Sequence, residues 1–160
     1  MNKRLYGNLV IFAVLLTLLV VVLGAYTRLS DAGLGCPDWP GCYGQILAPS
    51  AEEDVKRANQ AFPERPVEFA KAIKEMVHRY FAGGLILTVL ILTILAWKNR
   101  QDPDSPTGLA SFILALIIFQ ALLGMWTVTW KVKPIIVTSH LIGGLATLTL
   151  LWLILLRIGY

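Results

Sequence analysis

Four long apolar stretches interrupted by short charged connections organise this chain. Charged residues are absent between Arg4 and Arg28, between Arg79 and Lys98, between Asp104 and Lys131, and between Lys133 and Arg157. A helix crossing a bilayer needs about 20 mostly apolar residues, and each gap meets or approaches that length. The second gap is the shortest, but its helix can extend back past Arg79, with Pro66 as a favoured first-turn residue. The pattern predicts an all-α integral membrane four-helix bundle forming one domain over residues 1–160. Its helices are expected at about 7–28, 67–98, 107–130 and 134–157, with an extracytoplasmic loop at about 29–66. Part of that loop, Pro49 to Pro66, is charged and expected to be partly helical.

Composition agrees. Hydrophobic residues make up 56% of the 160, and the mean hydropathy is +0.66, too apolar for a soluble domain of this size. The net charge of +4 does not point to nucleic acid, because the basic residues gather at helix ends and in one loop, where they anchor membrane proteins. The basic start Met1-Asn2-Lys3-Arg4 is compatible with a signal peptide. The apolar run is long and lacks a clear small-x-small site, so we read an uncleaved helix.

The charge rule does not choose a side. Lys3, Arg4, Lys98, Arg100 and Arg157 favour a cytoplasmic face that Lys131 and Lys133 oppose. The stretch between Arg28 and Arg79 carries eight carboxylates against five Lys and Arg. The cysteines are more informative. Cys36-Pro-Asp-Trp-Pro-Gly-Cys42 holds two prolines and a glycine, a turn able to bring the sulfurs together. Disulfides persist outside the cytoplasm, which places the loop outside and both termini inside. Two free thiols or a partial metal site are the alternatives; two cysteines without a nearby histidine make a poor zinc site.

The order of parts repeats. Leu23-Gly24-Ala25-Tyr26-Thr27 closes the first helix and Leu123-Gly124-Met125-Trp126-Thr127 the third. Each is followed by a connection and a helix bearing a histidine near its outer end. A duplicated hairpin would place a binding site at the repeat interface, and Gly24 and Gly124 would allow close helix approach.

The two histidines, His78 and His140, are the only ones in the chain. Ionisable groups at membrane depth are costly and usually functional. Two imidazoles on facing helices can hold heme iron. Ala82 and Gly144, one turn on from each histidine, leave room for a flat macrocycle, and Gly83, Gly84 and Gly143 would widen the gap. The alternative is an interfacial histidine bonded to a backbone carbonyl. Glu75 lies three residues before His78, on the same face. There a carboxylate can bond a ligand, accept a proton or stabilise positive charge on a reacting carbon; otherwise it is a solvated residue on an exposed turn. Arg28 and Arg79 are candidate partners for heme propionates, or simple interface anchors.

These residues resemble a known family. Gly24 to Gly44, with Arg28, Gly33, Cys36, Trp39 and Cys42 in place, is similar to the first outer loop of heme A synthases. Glu75-Met-Val-His78-Arg79 resembles that family's Glu-x-x-His-Arg, and Ser139-His140-Leu its second histidine. The resemblance implies oxidation of the C8 methyl of heme O to a formyl group, by successive hydroxylations, to give heme A for cytochrome oxidase. It implies His78 and His140 as ligands of heme b or substrate heme O, Glu75 as catalytic, and a Cys36–Cys42 disulfide. The family's usual eight helices form two pseudo-symmetric halves, one for substrate and one for a b-type cofactor. This chain resembles the N-terminal, substrate-side half. Ending at Arg157-Ile-Gly-Tyr160, it is expected to be a fragment of a longer chain or a half-size member that self-associates. Implied further are a bacterial cytoplasmic membrane, contact with heme O synthase, and a quinone as electron acceptor. A b-type cytochrome subunit passing electrons to quinone would use the same histidines without Glu75. A quinone-linked thiol oxidase would need a second cysteine pair that this chain lacks.

Overall fold

A computed structural model describes residues 2–159. It contains five helices: α1 (Lys3–Leu29), α2 (Glu52–Ala61), α3 (Phe69–Lys98), α4 (Thr107–Thr129) and α5 (Pro134–Arg157). All but α2 are long and apolar enough to cross a membrane. α1 starts earlier than its charge-free run because Asn2 caps it, accepting from the Leu5 N–H at 3.1 Å. α3 begins after Glu68 rather than at Pro66. α5 opens on Pro134, whose fixed φ suits a first turn.

The long helices pack in the cyclic order α1, α3, α4, α5, so α1 faces α4 across one diagonal and α3 faces α5 across the other. Tyr6, Val10, Ala13 and Thr17 form the buried stripe of α1 at helical spacing. Near the chain termini it meets Leu85, Val89 and Leu92 of α3, Ile113 and Ile117 of α4, and Leu151 and Ile154 of α5. The opposite faces, with Leu15, Val22, Leu87, Ile118 and Leu156, are exposed and apolar, as lipid contact requires. Buried threonine hydroxyls bond within their own helices: Thr17 donates to the Ala13 carbonyl at 2.6 Å and Thr147 to that of Gly143 at 2.9 Å.

The repeat seen in sequence extends to how the helices end. The Ala32 N–H donates to the Thr27 carbonyl at 2.9 Å and Asp31 to Arg28 at 3.3 Å. At the end of α4, Val132 donates to Thr127 at 2.7 Å and Lys131 to Val128 at 3.1 Å. Asp31 and Lys131 both take positive φ, 51° and 53°. These are two Schellman endings, each hinged on the threonine of the repeated motif.

The loop between α1 and α3 folds on a second small core of Cys36, Cys42, Tyr43, Ala48, Ala58, Ala72 and Met76. Cys36 and Cys42 are disulfide-bonded and fully buried. Asp38 ties the tip, its carboxylate accepting from the Tyr43 N–H at 2.6 Å and the Gly44 N–H at 2.7 Å. Tyr43 stacks edge-on against Phe62, and burial pushes its phenol above the usual range. α2 covers this core through Ala58, and its first turn carries Glu52, Glu53 and Asp54 against the helix dipole.

Candidate functional site

The histidines meet at the loop end of the bundle. His78 enters from α3 and His140 from α5, the diagonal pair, with ring centroids 6.4 Å apart and planes at 89°. The other diagonal supplies glycines. A Cβ on Gly24 of α1 would lie 2.9 Å from His78 Cε1, and one on Gly124 of α4 would lie 3.6 Å from His140 Cε1. Each repeat therefore uses its glycine as the bed for the histidine of the next spanning helix. The Nδ1 atoms of both rings are buried without a hydrogen-bond partner, and the Val20 carbonyl faces the His78 ring.

The small residues divide. Gly144 sits against Val21 of α1, where a Cβ would be 3.5 Å from its methyl. Ala82 is half-buried. Gly83 and Gly84 border open space: a Cβ on either meets nothing within 4 Å. Gly143 is pressed by the Gln120 amide of α4.

Glu75 is not a solvated residue on an exposed turn; only 4% of its surface is exposed. Its carboxylate pairs with Arg79 one turn on and accepts the Cys36 N–H at 3.0 Å. Arg79 also donates to the carbonyls of Asp38, Pro40 and Gly41 at 3.1, 3.3 and 2.6 Å. Glu75 and Arg79 thus fasten the disulfide loop onto α3, immediately beyond His78. Gly35 makes this docking close: a Cβ there would lie 2.6 Å from the Lys71 backbone. Arg28 is exposed at the end of α1. Among the described residues, no cluster of three or more His, Cys, Asp or Glu side chains is placed to hold a metal ion.

Sequence reasoning passed over one residue of this region. Gln120 is 7% exposed, and its Oε1 is buried without a partner. Of the side-chain amides in the spanning helices, Asn8 lies exposed near the start of α1 and Gln120 lies buried deep in α4, and such rarity was a readable signal.

Together these features define an all-helical membrane protein with paired histidines under a disulfide-closed loop. The chain belongs to the family described as cytochrome oxidase assembly protein (COX15-CtaA), whose model matches residues 7–160. It is 55% identical over 141 residues to the heme A synthase of Shewanella oneidensis, an alignment covering 88% of this chain and 42% of that protein. The heme A synthase of Alkalihalophilus pseudofirmus is 30% identical over 159 residues, 99% of this chain and 47% of that one. That of Listeria welshimeri is 30% identical over 122 residues, 76% of this chain and 35% of that protein. The chain spans less than half the length of each of these relatives. No solved structure matches it. A b-type electron-transfer subunit finds no support in these matches.

Proposed function

We propose that the chain forms the substrate half of a heme A synthase, in which His78 and His140 hold heme O while its C8 methyl is oxidised to a formyl group. The facing histidine pair carries the reading. Their ring centroids lie 6.4 Å apart on facing helices, and two imidazoles so arranged would hold a heme iron. The unpartnered buried Nδ1 atoms and the glycine beds support that reading. A bound heme supplies iron for both imidazoles and the methyl group that reacts; heme b would occupy the same ligands.

The chain's own residues do the rest. Helices on one diagonal present the histidines, so neither imidazole can retreat without moving a helix. Arg79 and the Cys36 N–H hold Glu75 as a fixed carboxylate one turn toward the loop. From there its charge stabilises positive charge developing at the reacting carbon, or it takes up the released proton. The loop above excludes water from that end. Arg28, exposed at the end of α1, is the free candidate for a propionate, whereas the guanidinium of Arg79, the other candidate, is already engaged. The oxidation requires an electron acceptor, for which a quinone is suited. A second copy or a second four-helix half completes the unit. Heme O synthase supplies the substrate, and the setting is the bacterial cytoplasmic membrane with both termini cytoplasmic.

The purified protein is expected to give a low-spin heme spectrum that His78→Ala or His140→Ala abolishes. A spectrum without heme sinks the reading. Co-expression with a heme O source, followed by pigment extraction, tests the acid: Glu75→Ala should retain heme O and form little heme A. Wild-type conversion by that variant would remove Glu75 from the chemistry.

A further inference from the structure

Gln120 is a buried polar group close to the depth of the histidines that neither the fold nor the proposed chemistry uses. Its Oε1 has no partner, and leaving a buried acceptor unsatisfied is unfavourable. Ordinary helix glue would bring it a donor from across the bundle, yet none reaches Oε1, although the amide presses against Gly143 of α5. Gln120 lies one turn below Gly124, and Gly143 lies three residues past His140. The amide therefore sits about one helical turn deeper than the histidines, as Glu75 sits about one turn shallower.

We propose that Gln120 recognises the hydroxyl group on the alkyl side chain of heme O, the group that distinguishes it from heme b. This rests on the heme reading above. A primary amide offers an acceptor and a donor, and a hydroxyl answers either. A hydroxyl entering an apolar bundle needs such a partner, because burying one without a hydrogen bond is unfavourable. Gly143 leaves the amide its room: any Cβ there would collide with it. Polar groups a turn above and a turn below the iron ligands would then fix which way round the macrocycle lies. A buried water is the competing occupant of an orphan acceptor.

The test is selectivity of binding. Apoprotein in detergent is titrated with heme O and with heme b, following the Soret band. Gln120→Met, apolar and similar in shape, should weaken heme O about tenfold, the worth of about one hydrogen bond, and leave heme b within about twofold. Gln120→Glu, which keeps an oxygen at the same reach, should hold most of the preference. An unchanged ratio in Gln120→Met overturns the proposal in favour of water. Equal loss of both hemes in both variants overturns it in favour of a packing role. A wild type that binds neither heme fails the underlying reading as well, a result distinct from the other two.

Discussion

Gly24 and Gly124 occupy equivalent places in the two hairpins, but they are not equally tight. At Gly24 an added methyl would stand 2.9 Å from the His78 ring, inside van der Waals contact; at Gly124 the clearance is 3.6 Å, an ordinary contact. Gly24→Ala must displace the imidazole or part α1 from α3, and overpacking of this kind costs about 1–3 kcal/mol. Heme affinity should fall roughly tenfold or more, with a shift of the spectrum toward high spin. Gly124→Ala should stay within about twofold of wild type. Titration of the two variants with heme b separates them, and equal behaviour would show that the glycines do not bed the histidines. Both glycines were visible in the sequence as a repeated motif, because helical period and composition mark them. Their unequal clearance was not, because it depends on how far apart the backbones settle.

At the scale of the element, the loop is held by one residue more than any other. Arg79 pairs with Glu75 and gathers the carbonyls of Asp38, Pro40 and Gly41. Removing one partner of a buried pair leaves the other charged and unpaired, at a cost of roughly 3–5 kcal/mol. Arg79→Gln should therefore loosen the loop and expose the disulfide, which is fully buried in the folded chain. Gly35→Ala should do the same by another route, because the Lys71 and Ala72 backbone cannot give way. Reduction by a mild thiol, followed by alkylation and mass measurement, reads both effects. Cys36 and Cys42 should react many times faster in either variant, and unchanged rates would deny the docking. The helices themselves were legible from charge-free length, and Cys36–Cys42 from the turn between them. The burial of Glu75 was not, because one helical period cannot say whether a separate loop folds over a polar face.

For the whole molecule, the unresolved choice in the sequence was which side of the membrane the loop occupies, since the basic residues pull both ways. The disulfide and its folded core supply an independent argument, because a disulfide persists where the compartment is oxidising. The repeated helix endings place the second connection beside the loop. Both Schellman turns lie at the loop end, and a Cβ on Gly33 beside one would touch Val132 in the other at 3.6 Å. Lys131 and Lys133 therefore belong to the same face as the loop, opposite Lys3, Arg4, Lys98, Arg100 and Arg157, and the charges still pull both ways. Single cysteines at exposed positions decide the matter. Ser50→Cys lies in the loop and Gln101→Cys in the connection between α3 and α4, while the native pair is oxidised and silent to maleimide. In intact cells a membrane-impermeant maleimide should label Ser50→Cys and leave Gln101→Cys untouched until the membrane is opened. The reverse pattern would put the disulfide in the cytoplasm and turn the bundle over, carrying the histidine pair, Glu75 and the proposed substrate site to the opposite leaflet.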